Sequence, residues 1–216
     1  MTIACASLKN SGLRLAVLLL AAGEGSRLGG YPKALLKKSG ESLLKRFCLS
    51  VHAFEPVQIL VLTGFYSTLI EDEVGLLKQA GIKKLESICN ENPELGQSSS
   101  VRLGIESLNT DYDILLIALC DQPNVDSPEI EALLKQFVER SPDQEIILPM
   151  SNGQRGNPVL FSKKVIDDIL KIPGMVPRAF MDKHPELVKI FKTDNQAYVL
   201  DVDNLSDIQK LGLDAI

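Results

Sequence analysis

Histidine and cysteine are scarce in this 216-residue chain, and neither is arranged for chemistry. His52 and His184 are the only two histidines, and Cys5, Cys48, Cys89 and Cys120 form no Cys-x-x-Cys pair. That pattern excludes a zinc site of the usual spacing, and a chain this long does not need a disulfide framework. Buried, reduced thiols are expected, which points to a cytoplasmic protein. Long apolar runs are also missing. The longest, LAVLLLAA, has 8 residues, against the ~20 that cross a bilayer. Residues 1–13, MTIACASLKNSGL, lack the apolar centre of a secretory leader. No membrane association is expected. A basic stripe is absent as well: 23 Lys and Arg face 28 Asp and Glu, a net charge of −5. Nucleic acid is therefore not expected as a partner, and any anion site has to be local, built from a few focused cations. No internal repeat or low-complexity tract is present.

What is present is an alternation of apolar runs with amphipathic segments. Strands are predicted over Leu15–Ala22, Val57–Thr63, Lys84–Cys89, Ile114–Cys120, Ile146–Met150, Val159–Phe161, Leu187–Phe191 and Ala197–Leu200. Helices are predicted over Ser42–Ala53, Thr68–Ala80, Ser98–Leu108, Lys163–Leu170 and Leu205–Leu211. A further helix runs from a Ser127 cap, with Pro128 in its first turn, to about Arg140. Asn152-Gly153 marks a turn after the Ile146–Met150 strand. Strands apolar throughout and separated by helices imply a three-layer α/β/α domain with a mainly parallel sheet. In such sheets ligands gather beyond the carboxyl ends of the strands.

The stretch LLLAAGEGSRLGGYPKALL follows the first strand with four glycines, an arginine and a lysine. It is not a P-loop, because Lys33 is followed by Ala34 and lacks the required spacing. Nor does it fit G-x-G-x-x-G: Gly23 and Gly25 match, but position 28 is leucine. A helix starting at Gly25 would also carry Pro32 inside it, at about 3 kcal/mol. What fits is an open loop whose backbone N–H groups wrap a triphosphate. Arg27 then serves as a forked cation and Lys33 as a point charge after Pro32.

LAAGEGSRLGGYPK resembles the motif of the nucleotidyltransferases that act on the molybdenum cofactor, L-A-[AG]-G-x-x-x-R-x-G-x-x-K, within the nucleotide-sugar pyrophosphorylase fold. Leu20, Ala21, Ala22, Gly23, Arg27, Gly29 and Lys33 match, with one extra residue before the lysine. Gly25 and Ser26 join them as nucleotide contacts. GQSSSVRLGI is similar to the family's base and ribose segment, G-x-[SA]-x-S-[LV]-x-x-G, which implies contacts from Gly96, Ser98, Ser99, Ser100 and Gly104. Ser98–Ser100 are also good N-cap types, and Gly104 inside a helix marks a close approach. LLIALCDQP resembles the x-D-x-P motif and implies Asp121 as a Mg²⁺ ligand; a carboxylate ending a buried strand is badly solvated without a partner. LDVDNLSDIQKL resembles D-[IV]-D-T-P-E-D-L, with NL in place of TP. It offers Asp203, ahead of Asp201, as the second ligand, and Asn204 or Ser206 as the last helix cap. GQRGNPVLF matches G-x-x-G-[HN]-P-V-x-F. It implies an acceptor wall of Arg155, Gly156, Asn157 and Pro158, with Gln122 beside it and Pro158 placing its strand at an edge or bulge. Five motifs run in the family's order from Leu15 to Leu205.

The resemblance implies a nucleotide-diphospho-sugar transferase-like fold, with residues 1–13 as an extension and 14–216 as one nucleotidyltransferase domain. It implies Mg²⁺-dependent transfer from CTP to a molybdopterin-type phosphate acceptor, with Lys33, Arg27 and Asp121 as the catalytic groups. An acceptor phosphate is already anionic, so no general base is required. Ala22 points to CTP, because members with LAAG tend to use CTP and those with LAGG use GTP. A molybdoenzyme or its chaperone is a possible recipient of the product. Three alternatives remain: another phosphorylated acceptor, such as a sugar or polyol phosphate, or GTP; a cofactor carrier without nucleotide chemistry; and a glycosyltransferase using the Asp-x-Asp at Asp201, which leaves the glycine loop unexplained.

Overall fold

The six residues of β1, Leu15–Leu20, are all buried. Alternate side chains feed two different cores, as the pleat requires. Leu15, Val17 and Leu19 enter one apolar cluster; Ala16, Leu18 and Leu20 enter another. β1 is therefore the centre of a sheet covered on both faces. The computed structural model describes residues 12–214, so most of the expected 1–13 extension lies outside the described residues.

The remaining strands are β2 (Lys37–Lys38), β3 (Glu41–Ser42), β4 (Gln58–Thr63), β5 (Leu85–Cys89), β6 (Ile114–Leu119), β7 (Ile146–Ser151), β8 (Gln154–Arg155), β9 (Val159–Ser162), β10 (Val188–Lys192) and β11 (Leu213–Asp214). The main sheet runs β10-β7-β9-β6-β1-β4-β5, with β8 paired to β7. β1, β4, β5 and β6 are mutually parallel, as are β7 and β10. β9 is antiparallel to both β6 and β7. A small second sheet has the order β11-β2-β3.

The helices are α1 (Leu43–His52), α2 (Ser67–Gln79), α3 (Gln97–Glu106), α4 (Ser127–Val138), α5 (Lys163–Lys171), α6 (Pro177–Lys183) and α7 (Leu205–Lys210). α1, α2 and α4 send Phe47, Val74 and Phe137 into the first cluster. α3, α5 and α6 send Ile105, Ile166 and Phe180 into the second. The three-layer α/β/α expectation is borne out, with a mainly parallel sheet.

Several local expectations are corrected. Ala197–Leu200 is not a strand: a 3-10 turn covers Gln196–Tyr198, started by the Asn195 side chain accepting from Ala197 N at 3.0 Å. α4 is capped by Asp126, which forms a reciprocal box with Glu129, and not by Ser127. Ser127 Oγ donates instead to the Ser50 carbonyl, at 3.0 Å. Asn152-Gly153, both at positive φ, joins β7 to the short β8. Pro158 stands directly before β9, an interior strand, and not at a sheet edge.

Candidate active site

The carboxyl ends of β1 and β6 open onto a cavity of about 500 Å³. Its near wall is the loop that follows β1. The loop leaves the sheet at Ala21, whose N–H still donates to Leu62 O at 2.8 Å, and then folds through two 3-10 turns, Ser26–Leu28 and Lys33–Leu35. Gly25 makes the first turn possible: its φ is 62°, and a Cβ there would lie 2.1 Å from the Tyr31 carbonyl oxygen. Its carbonyl accepts from Leu28 N at 2.8 Å and Gly30 N at 3.1 Å. No α-helix starts here, so the loop lacks the helix N-terminus that a dinucleotide fingerprint presents to pyrophosphate. The expected contacts Leu20–Gly23, Gly25–Arg27 and Lys33 all line the cavity.

The far wall is acidic. Lys33 Nζ donates to Asp121 Oδ2 and to Asp203 Oδ1, each at 3.0 Å. Arg27 Nη1 stands 4.0 Å from Asp203 Oδ2, with its side chain mostly exposed. Burial by itself would lower the Lys33 ammonium; the charge of Asp121 and hydrogen bonds to Asp203 and Asp121 outweigh it, and its pKa is raised. Carboxylate oxygens of Asp121, Asp201 and Asp203 lie within 4.8 Å of one another. Burial, then the charges of Asp121 and Asp203, push the Asp201 carboxyl upward. Asp121 Oδ1 is buried with no hydrogen-bond partner. An orphaned carboxylate oxygen among three convergent carboxylates is a donor set suited to a hard divalent cation. Cys120 also lines the cavity, and burial pushes its thiol well up, which favours the neutral form.

A second cavity of about 340 Å³ adjoins the first, and Leu20, Gln97, Leu119 and Asp201 line both. Its wall is mainly apolar, with Val101, Phe161, Val176 and Met181, and it carries Arg155 and Arg178. Arg155 is held by Asp182. Among the described residues, the Arg178 guanidinium has no ion-pair or hydrogen-bond partner.

Some expected residues sit elsewhere. α3 begins at Gln97 with Gly96 as its cap residue, so Ser98, Ser99 and Ser100 fall inside the first turn. Ser99 Oγ donates to the Gly96 carbonyl at 2.8 Å, and Ser100 Oγ accepts from Asn90 Nδ2 at 3.0 Å. Gly96 and Ser100 face the first cavity, Ser98 the second, and Ser99 neither. Gly104 is a packing residue: a Cβ there would lie 2.5 Å from Leu18 Cδ1, so the glycine lets α3 sit on β1 away from the cleft. Gln122 lines neither cavity. Its Nε2 donates to the Tyr198 carbonyl at 2.8 Å, the same oxygen that accepts from Asn157 N at 2.8 Å. Gln122 thus ties together the segments that carry the wall. Gly156 and Asn157 line the second cavity; Pro158 does not. Sequence reasoning missed Gln97, Phe65 and Pro93.

A model of the MobA-like NTP transferase domain matches residues 17–187. The chain belongs to that family. Bifunctional protein GlmU of Prochlorococcus marinus is 30% identical over 120 residues, 55% of this chain and 25% of that protein. The chain therefore spans about a quarter of that curated relative, and 39% of a second GlmU, from Streptococcus agalactiae. Nicotine blue oxidoreductase of Paenarthrobacter nicotinovorans is 24% identical across 90% of this chain and 94% of its own. The 2-C-methyl-D-erythritol 4-phosphate cytidylyltransferase of Streptomyces avermitilis is 28% identical over 66% of this chain and 57% of its own. Among solved structures, Rv0371c of Mycobacterium tuberculosis superposes with a TM-score of 0.70 at 21% identity, over 92% of this chain and 97% of that one. The same protein has been solved in complex with manganese. These solved structures share the fold of this chain, and its membership of the MobA-like NTP transferase family rests on the family model.

Proposed function

We propose that this chain is a cytidylyltransferase that joins CTP to the phosphate of a molybdopterin-type acceptor, the molybdenum cofactor, releasing pyrophosphate. One observation carries the reading. A half-buried lysine bridges two members of a carboxylate cluster where two cavities meet, one lined by the glycine loop and the other by arginines on an apolar wall. In the reaction an acceptor phosphate oxygen bonds to the α-phosphorus of CTP, the bond from that phosphorus to the β-bridging oxygen breaks, and pyrophosphate leaves with the electron pair. Mg²⁺, held by Asp121 with Asp203 or Asp201, would supply neutralising charge to the triphosphate oxygens. Asp201, lining both cavities, competes with Asp203 for the second place.

The chain's own groups do the rest by position. Lys33 sits to neutralise the reacting phosphoryl group, and the exposed Arg27 reaches the leaving pyrophosphate. Arg155 and Arg178 meet the anionic acceptor, while Val101, Phe161 and Met181 take its body. That apolar wall suits a flat, weakly hydroxylated acceptor better than a sugar or polyol, whose hydroxyls would each need a partner. Ala22 supports CTP. Its Cβ lies against Gly64 beside Pro93 on the cavity wall, and a glycine there would leave more room for a purine.

The test is pyrophosphate release from CTP and from GTP, with Mg²⁺ and purified molybdenum cofactor. Turnover with CTP is expected to exceed that with GTP by at least about tenfold, and Asp121→Asn should abolish it while leaving the circular dichroism spectrum unchanged. Release with a sugar phosphate and not with the cofactor would reassign the acceptor. No release from any triphosphate would favour a carrier.

A further inference from the structure

Besides the two cores on either face of the sheet, a third apolar cluster lies apart. It consists of Leu28, Leu36, Leu43, Val202 and Leu213, with Tyr31, Ile208 and Leu211 packed against it. Its members come from the segments that furnish the cleft. Leu28 directly follows Arg27, and Leu36 comes three residues after Lys33. Val202 stands between Asp201 and Asp203; its side chain is fully buried in the cluster while its two neighbours line the cleft.

The polar links run the same way. Val202 N donates to the Asp121 carbonyl at 3.0 Å, joining the two carboxylate-bearing segments through the backbone. In the first turn of α7, Asp207 Oδ2 accepts from the N–H groups of Asp203 and Asn204, both at 3.0 Å. Asn204 caps the same helix, accepting from Ser206 N at 2.9 Å. β11 then closes the cluster: Leu213 pairs with Lys38 of β2, and Lys38 Nζ reaches the Pro123 carbonyl at 3.1 Å, two residues past Asp121. The cation loop and the carboxylates therefore share one small core, closed by the last helix and strand described.

We propose that α7 and β11 form a clasp that sets the separation between the Arg27–Lys33 cations and the Asp201–Asp203 carboxylates, with Val202 and Leu213 as positioning residues for the metal–triphosphate site. The role rests on the reading of the cleft as a Mg·CTP site. Val202 has no contact with the cleft itself. It acts by fixing the residues on either side of it, and Leu213 by filling the cluster that holds Leu28 and Val202 together.

Two measurements on the full chain test this, one without any ligand. In Leu213→Ala, amide hydrogen exchange should rise together over residues 24–32 and 199–204, with β1 and β6 as protected as in the parent. Calorimetric titration with Mg·CTP should show Kd raised about tenfold, an effect reversed in Leu213→Met, which restores volume. Exchange that rises only within 205–214, with Kd unchanged, would make the segment a passive tail and overturn the clasp. So would general loss of protection in β1 and β6. Ile208→Ala, at the half-buried margin of the cluster, is the milder second variant and should show the same pairing of effects at smaller size; failure of that pairing in both variants rejects the proposal. If the parent binds no Mg·CTP, the functional reading fails, and the exchange comparison still decides whether the clasp couples loop and carboxylates.

Discussion

Lys33 holds two carboxylates and is half-buried against a third, so its ammonium stands where a divalent cation would also be drawn. On the proposed reading, triphosphate oxygens would compete for it and a metal would compete for its carboxylates. Ligand entry thus exchanges one set of charge pairs for another without exposing a bare charge, which is costly in a closed site. At the opposite ends of β1 and β6, another ion pair lies away from the cleft. Asp113, just before β6, accepts from Arg14 N at 2.8 Å and from Arg14 Nε and Nη2 at 3.0 and 3.1 Å, just before β1. Hydrogen bonding from the Arg14 side chain, reinforced by its backbone N–H and its charge, holds the Asp113 carboxyl below the usual carboxylate range against a smaller opposing effect of burial. The sign follows: the ionised carboxylate adds stability in full above the ordinary Asp value, and this is lost as pH falls through the depressed one. Asp113→Asn should therefore lower Tm at pH 7 by no more than a few degrees, since the pair is partly exposed. The gap from the parent should close in acid. A gap independent of pH would show that the charge contributes nothing.

At the scale of elements, Arg102 of α3 acts as a bolt. Its Nη1 donates to the carbonyls of Ile169, Ile172 and Met175, and its Nη2 to that of Leu170, all at 3.1 Å. It thereby caps the end of α5 and fixes the turn that leads into α6, which carries Arg178. Arg102→Ala should cost about 2 kcal/mol, roughly 4–8 °C in Tm. It should raise the acceptor KM several-fold while leaving the KM for CTP unchanged; a parallel rise in both would deny that the bolt serves the acceptor wall alone. None of this was legible in the sequence, where Arg102 is one exposed-looking position in a helix. The central strands were legible because burial on both faces writes continuous apolar runs. The direction of β9 was not, since periodicity is the same for parallel and antiparallel pairing. β2, β3 and β11 are two-residue strands with no period to read. α6 escaped because its seven residues begin with a proline and make barely two turns. Ala197–Tyr198 looked like a strand because burial, not extension, makes them apolar. The glycine loop and Asp121 could be read because their residue types are costly where they stand. Gln97 and Arg178 could not, because their orientation depends on how α3 and α6 dock.

For the whole molecule, charge is the dominant constraint. On the proposed reading, a chain of net charge −5 has to admit a triphosphate and a second anion to one cleft. Two cations on the loop and two on the wall of the second cavity offset part of that, but three carboxylates lie in the same cleft. The nucleotide should consequently bind as its metal complex, with little affinity when the metal is chelated. Binding to the folded chain alone raises its stability by mass action, about 2.7 kcal/mol at a ligand concentration of 100 Kd. A domain of this size gains roughly 2–4 °C for each kcal/mol, so saturating Mg·CTP should raise Tm by about 5–11 °C. EDTA should remove most of that gain. At equal concentration Mg·GTP should give a smaller one, as the proposed selection of the pyrimidine by Ala22 requires. The same experiment separates two failures. An undiminished CTP shift in EDTA would deny the carboxylates their metal and leave Lys33 and Arg27 as the sole phosphate ligands. Equal shifts with CTP and GTP would leave the metal site standing and remove Ala22 as the determinant of the base.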